Sequence, residues 1–342
     1  MKVPIKVLVT AVGGDLGQAI VKALRVSSFP LDIHGCDLDT HSYAAAFVQA
    51  YHAVPAACHP DYVKELEALC ETFALRAVVP SSEPELMVLE GRCLPSGVPV
   101  VSQPIEVLRV YGDKLATMRA LADTVKLAAF ADGADTAAVH DLIDRCGFPV
   151  VVKPRRSSGS RNVRLATCLG ELESALGKVP MPLVQEYLDD SGGEFSVGVF
   201  RTTDFESAVA FKRRLSATAG ISWQAELVEN PEVCAYALEI GRVASATGSL
   251  NVQLRLTSAG PRLLEVNPRF SSLVAARAAC GFRDAEWSLV SALHLPMMPP
   301  RGPYKRLRFW RFYHEVVDLG DGCGVLPEWL PRPVPCGLTG KG

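Results

Sequence analysis

Two short apolar runs, Asn251 to Leu256 and Arg262 to Val266, flank the turn-forming stretch Thr257-Ser258-Ala259-Gly260-Pro261. Runs of this length around a Gly-Pro turn read as an antiparallel hairpin. On a strand, residues two apart share a face. Glu265 and Asn267 therefore project together, and the hairpin brings Gln253 beside them. A carboxylate and carboxamides inside an apolar run need partners, because an unpaired buried charge is costly. All three offer oxygen, the donor that a hard cation such as Mg²⁺ (or Mn²⁺) takes alongside phosphates. Arg269 follows directly after Pro268, where a guanidinium meets whatever phosphate the metal holds. The chemistry this pattern points to is phosphoryl transfer from a nucleotide, in which positioning and charge neutralisation do most of the work.

The chain ahead of the hairpin alternates. Strand patterns at Lys6 to Thr10, Leu31 to Cys36, Ala77 to Pro80 and Val98 to Val101 are separated by helical patterns at Gln18 to Leu24, Asp61 to Phe73 and Pro84 to Arg92. Short connections between such elements predict a parallel, doubly wound sheet over residues 1–104. Ile105 to Leu121 reads as one helix, and residues 125–185 read as a small β-α-β-type lobe. Its strands are Phe148 to Pro154, Val163 to Ala166 and Pro182 to Tyr187, and its helices are Val139 to Cys146 and Glu171 to Leu176. Beyond it the pattern is antiparallel, with strands at Phe195 to Arg201 and Ser207 to Lys212 and helices at Cys234 to Thr247 and Leu273 to Ala279. The fold class is thus α/β followed by α+β, with residues 301–342 as an extended C-terminal extension.

Composition removes several classes of function. With 342 residues the chain is long enough for two or three domains and a sizeable core. A formal net charge of −2 provides no general basic field for nucleic acid. No apolar run is long enough to span a bilayer, and the opening residues run straight into a strand pattern, so a cytoplasmic protein without a membrane partner is expected. Ten cysteines with no C-x-x-C pair fit a reducing compartment and indicate no zinc or redox site.

Further features stand in a fixed order before the hairpin. Lys114 and Lys153 are two cations suited to a triphosphate. The polar stretch from Arg155 to Asn162, with Ser157, Ser158, Gly159 and Ser160, can cover phosphates with backbone N–H groups and hydroxyls. Gln185-Glu186-Tyr187-Leu188 lies where the small lobe joins the larger one, and Glu194 opens the next strand. This order, ending in Gln253 and Glu265-x-Asn267-Pro268-Arg269, resembles the ATP-grasp superfamily over roughly residues 5–315. More narrowly it resembles single-unit proteins related to the synthetase component of carbamoyl-phosphate synthase.

The resemblance implies a Rossmann-like pre-ATP-grasp domain (1–104), then a two-lobed ATP-grasp domain (105–300) with ATP between its lobes. It implies that Lys114 and Lys153 bind phosphate and that the loop from Ser157 to Asn162 closes over it. Gln185, Glu186, Tyr187 and Leu188 would hold adenine and Glu194 the ribose. Gln253, Glu265 and Asn267 take the metal, and Arg269 stabilises the transferring phosphate. Two departures stand out: the loop has only one glycine, Gly159, and Asn162 stands where a glycine is common.

The activity so implied is an ATP-dependent ligase. It phosphorylates a small-molecule carboxylate to an acyl phosphate and couples it to an amine or ammonia, with release of ADP and phosphate. Ammonia from a separate glutaminase is one supply, and a homodimer is the default oligomer. For the acceptor, Lys212 and Arg213 could hold an acidic substrate, and Ser271 and Ser272 lie just past Arg269. Two other readings remain at this point. One is an NAD(P)-dependent oxidoreductase using the glycine-rich turn Gly13 to Gly17 and Asp37, although that turn lacks the full G-x-G-x-x-G spacing and also reads as a plain tight strand-to-helix turn. The other is a non-catalytic ATP-binding protein.

Overall fold

The computed structural model describes residues 3–90, 93–157, 159, 161–215, 222–297, 302–311, 316–318 and 323–325. The first sheet has four strands, β1 (Ile5–Thr10), β2 (Leu31–Asp37), β3 (Ala50–Ala53) and β4 (Val78–Val79). All are parallel, in the order β3-β2-β1-β4. Val7, Leu8 and Val9 in β1 are completely buried, as a central strand covered on both faces requires. Helix α1 (Asp15–Arg25) covers one face and α2 (Tyr62–Phe73) the other, where Leu66 and Cys70 pack on Leu8 and Val78. α3 (Glu83–Val88) follows β4. The expected strand at 98–101 shrinks to one parallel bridge, Val78 to Val100. Pro99 removes a donor from that segment, which limits it to an isolated pairing.

The helix expected over 105–121 is two helices, α4 (Ile105–Tyr111) and α5 (Lys114–Leu121). The break falls at Gly112-Asp113, where the Asp113 carboxylate accepts the backbone N–H groups of Leu115 and Ala116 at 3.0 and 3.1 Å. A side-chain cap of this kind satisfies donors that open a helix. It makes Lys114 the first residue of a new helix rather than one in the middle of an old one.

Next comes an antiparallel sheet made of β5 (Phe130–Asp132), β6 (Val150–Pro154), β7 (Arg164–Ala166) and β8 (Pro182–Glu186), in the order β5-β8-β6-β7. α6 (Thr136–Cys146) and α7 (Leu169–Lys178) supply Leu142 and Leu172 to its core, where Val150 and Val152 of β6 meet them. Strand alternation then sends Lys153 to the opposite face.

The largest sheet runs β13-β12-β9-β10-β11-β14. Its strands are β9 (Glu194–Arg201), β10 (Glu206–Leu215), β11 (Ser222–Val228), β12 (Gly248–Thr257), β13 (Gly260–Asn267) and β14 (Arg308–Trp310). α8 (Pro231–Val243) covers one face and packs on Val197, Val199, Leu250 and Val252. On the other face, α9 (Val274–Cys280) and α10 (Asp284–Ala292) cover only part of the sheet, packing around Phe200 and Phe211. β15 (Val316–Asp318) and β16 (Cys323–Val325) form a separate antiparallel pair. One apolar cluster joins Ile20 and Ala23 of α1 to Val274 and Ala278 of α9 and Leu289 of α10. That shared core fuses the parallel-sheet domain to the large sheet, each fully buried aliphatic side chain contributing about 1.5–3 kcal/mol.

Candidate active site

The part of the large sheet that α9 and α10 leave uncovered is polar. β12 and β13 pair with Asn251 opposite Asn267 and Gln253 opposite Glu265. The three residues singled out for a metal therefore share one face of neighbouring strands, together with Asn251. Asn267 Nδ2 donates to Glu265 Oε1 at 3.2 Å. Gln253 Oε1 accepts from Arg213 at 2.5 Å, and the same guanidinium is paired with Glu194.

Two lysines reach this face from different elements. Lys114, at the start of α5, lies 3.3 Å from Glu265 Oε2 and donates to the Ser157 carbonyl at 2.9 Å. Lys153 crosses from β6 and donates to Gln185 Oε1 at 2.7 Å and to the Leu264 carbonyl at 2.9 Å. It is not presented at a solvated lobe edge, as its position at a strand end suggested; it is 6% exposed. Burial is the main reason its ammonium is pushed down to about 8; Lys114 adds to the shift and Glu265 opposes it. For Glu265, burial acts upward, but Lys114, Lys153, Asn267 and Arg213 together outweigh it and hold the carboxyl below its ordinary range. Two cations and one carboxylate leave a positive excess, as a site for a polyanion requires.

Gln185 does not present its side chain to a ligand. Its Nε2 donates to the Leu263 carbonyl at 3.3 Å, so the carboxamide ties β8 to β13 and orients Lys153. Glu186 accepts the Ala129 N–H at 3.0 Å. Tyr187 is partly exposed with the Arg255 guanidinium 5.7 Å from its ring centre, and the Leu188 carbonyl accepts from Arg255 at 2.8 Å. Arg255 also lies 3.3 Å from Glu194, which is therefore held between two arginines.

In the polar loop, Ser158 and Ser160 lie outside the described residues. Gly159 has φ +65° and Asn162 φ +58°. Asn is, after Gly, the residue that best tolerates the left-handed region, which accounts for Asn162 at a position where glycine is common. The stem of the loop is fastened by Asp113, whose carboxylate takes Arg155 through three contacts of 2.9–3.1 Å. Sequence reasoning passed over Asp113; the signal was there in Gly112-Asp113-Lys114, a helix breaker followed by a capping residue.

The acceptor-side residues divide. Arg213 is paired with Glu194 and Gln253 on the polar face, and its buried Nε has no hydrogen-bond partner among the described residues. Lys212 is exposed on the other side of β10, its stem where a side chain at Gly193 would sit. Ser271 is buried, its hydroxyl accepting from Arg277 at 3.2 Å and from the Leu273 N–H at 3.3 Å. The Ser272 carbonyl accepts from Arg311 at 3.1 Å. Arg269 is 16% exposed and donates from Nε and Nη2 to one oxygen of Glu83, at 3.3 and 2.8 Å. Glu83 arrives from the parallel-sheet domain and carried no signal in the sequence, because only the packing of α1 on α9 and α10 brings it there.

The glycine-rich turn is engaged internally. Gly13 N–H donates to Asp37 Oδ2 at 2.7 Å, and the Tyr43 hydroxyl donates to the Gly13 carbonyl at 2.5 Å. A Cβ on Gly17 would sit 2.3 Å from the Ala11 carbonyl oxygen, so glycine is required there for the helix to approach the turn. Among the described residues no cluster of three His, Cys, Asp or Glu forms a metal site, and no helix is long and apolar enough to cross a membrane.

A parallel-sheet domain, a small antiparallel lobe and a larger antiparallel sheet, with lysines from two elements converging on a Glu-x-Asn strand, define the ATP-grasp architecture. The fold is similar to that of solved structures at low identity, and part of the chain matches an ATP-grasp family. Residues 178–308 match the family described as ATP-grasp in the biosynthetic pathway with Ter operon. N5-carboxyaminoimidazole synthetase from Staphylococcus aureus, complexed with ADP, aligns over 87% of this chain and 80% of its own, with TM-score 0.68 and 12% identity. A biotin carboxylase–ATP analogue complex from Campylobacter jejuni aligns over 86% and 72%, with TM-score 0.70 and 13% identity. An L-amino acid ligase from Bacillus licheniformis aligns over 86% and 75%, with TM-score 0.66 and 16% identity. No curated protein matches the chain.

Proposed function

We propose that this protein is an ATP-dependent carboxylate–amine ligase, with residues 1–104 as its pre-ATP-grasp domain and 105–300 as its ATP-grasp domain. The observation that carries the reading is the convergence of Lys114 and Lys153, from two separate parts of the chain, on the strand that carries Glu265 and Asn267. The solved structures of similar fold point the same way, since they include ADP- and ATP-analogue-bound enzymes and an amino acid ligase.

In this reading ATP lies between β6–β8 and the polar face of β9, β12 and β13. Lys114 and Lys153 hold its phosphates, and Ser157 to Ser160 cover them. The segment Glu186 to Leu188 lies along the adenine, with Gln185 acting from behind by orienting Lys153. Glu194 takes the ribose hydroxyls. The donor set suits Mg²⁺ or Mn²⁺: Glu265, Asn267 and Gln253 offer oxygens on one face, and a hard cation that keeps water and phosphate ligands needs few protein groups. Bound there, the cation would neutralise charge on the phosphates.

The substrate carboxylate oxygen forms a bond to the γ-phosphorus as the bond from that phosphorus to the β–γ bridging oxygen breaks, and ADP leaves. Arg269 and Lys153 stabilise the charge that develops on the transferring group. The amine nitrogen then bonds to the acyl carbon, the carbon–oxygen bond to phosphate breaks, and the nitrogen loses a proton. No protein nucleophile is required. The amine is free, or is ammonia delivered from a separate glutaminase, and the working form is a homodimer in the cytoplasm. The test is ADP release with Mg·ATP across carboxylates crossed with amines and ammonia. Calorimetry showing NAD binding and no ATP binding overturns the assignment.

A further inference from the structure

Arg269 pairs with Glu83 across the junction of the parallel-sheet domain and the large sheet, and Arg269 stands in the wall of a cavity. The cavity has a volume of about 170 Å³ and is lined by Arg269, Phe270, Pro80 and Leu86 among others. Among the described residues, Arg269 is the only charged one in its wall. Ser288 lines it as well; its hydroxyl is buried and has no hydrogen-bond partner among the described residues. Glu83 sits in sequence between two of the lining residues, Pro80 and Leu86, and its side chain is 43% exposed.

Glu83 is held in place from behind. Ser82 and Glu85 form a reciprocal cap at the start of α3, and Glu85 also accepts the Thr10 hydroxyl at 2.7 Å and the Tyr62 hydroxyl at 2.9 Å. A carboxylate so placed stands beside the arginine assigned to the transferring phosphoryl group, where the reacting carboxylate must arrive, and it either is expelled by the substrate or takes part in binding it. A ligand carrying only a negative charge would have to displace Glu83 from Arg269. A ligand carrying adjacent negative and positive groups keeps both protein charges paired, in alternating order, and loses no ion pair.

We propose that the carboxylate substrate is a free α-amino acid: its carboxylate on Arg269, its ammonium on Glu83, and a small uncharged side chain in the cavity beside Ser288. This rests on the ligase reading, and it adds the chemical class of the substrate. A cavity of about 170 Å³ with no second charge among its described lining residues takes a side chain no larger than about a benzene ring and gives no partner to an acidic or basic one. The orphaned Ser288 hydroxyl favours a side chain that can hydrogen-bond to it.

The test uses the full chain with saturating Mg·ADP. Glycine, L-alanine, L-serine, L-tryptophan, lactate and propionate are titrated by calorimetry. Alanine and serine should bind at least tenfold more tightly than lactate and propionate, and tryptophan should not bind. Glu83→Gln should bring alanine down to the level of propionate while Mg·ADP binding is kept. Ser288→Leu, which fills the cavity, should weaken serine more than glycine. The proposal is overturned if propionate binds as well as alanine, if Glu83→Gln leaves the discrimination intact or tightens propionate, or if no amino acid binds. Failure of the ligase reading is separate and appears in the first titration, as absent Mg·ADP binding.

Discussion

Nucleotide binding should take up a proton near pH 8, and Lys153 is the group that accepts it. In the free protein burial holds its ammonium at about 8, and the neighbouring Lys114 adds to the effect. A polyphosphate beside Nζ favours the charged form and restores an ordinary lysine value. The sign follows: the free protein loses this proton as pH rises through 8, the complex keeps it, and so binding weakens above pH 8 and is level below pH 7. If the complex is fully protonated, uptake is about 0.1 proton per nucleotide at pH 7, about 0.5 at pH 8 and about 0.9 at pH 9. Affinity then falls by about twofold at pH 8 and about tenfold at pH 9, the latter about 1.4 kcal/mol. Calorimetric titration of Mg·ADP in buffers of different ionisation enthalpy measures the uptake directly, and Lys153→Met should abolish it. Uptake that is flat from pH 7 to 9, or that survives in Lys153→Met, refutes the assignment of Lys153 to the phosphates.

Glu265→Gln should remove metal-dependent ADP release and, by withdrawing the main counter-charge, lower the Lys153 value further; a shift of the uptake curve to lower pH is the readout. Arg269→Lys should lower kcat more than it raises KM for ATP, because an ammonium cannot replace a two-pronged guanidinium on a charge that grows in the transition state; undiminished kcat with raised KM would reassign Arg269 to ground-state binding. Arg277 and Asp284, 1% and 0% exposed, form a buried pair 2.7 Å apart. Arg277→Met alone should cost about 3–5 kcal/mol in denaturant unfolding, whereas Arg277→Met with Asp284→Leu should recover most of it. Recovery failing in the double variant would show that Asn251 and Ser271, which Arg277 also bonds, carry the cost.

The fold was largely legible because its elements follow regular periods. β1, α1 and the hairpin of β12 and β13 fall within a few residues of their apolar patterns. Elements whose burial depends on partners far away in sequence were not. β11 and α10 were missed; α10 buries Asp284, Glu286 and Ser288, polar residues that read as surface until the Arg277 pairing and the sheet are known. The site divides the same way. Glu265, Asn267 and Lys153 announced themselves by spacing or as charges within apolar strands. Glu83 did not, and of Asp113 only the local cap was legible, because its grip on Arg155 and the contact of Glu83 with Arg269 join residues 42 or more apart. For Gln185 the pattern marked only a junction, and the geometry adds that its carboxamide is turned onto Lys153.

Gly198 lies on β9 beneath the stem of Arg277, and a Cβ there would stand 2.4 Å from Arg277 Cδ. The two positions, 79 apart in sequence, are therefore a single choice. A sequence that keeps the arginine has no freedom at 198, and one that gives up the glycine must shorten residue 277 and find another companion for Asp284. Anyone redesigning this scaffold, or transplanting its Glu-x-Asn-Pro-Arg strand into a relative, has to move both residues in the same step. Moved alone, either one arrives in a space built for the other's absence.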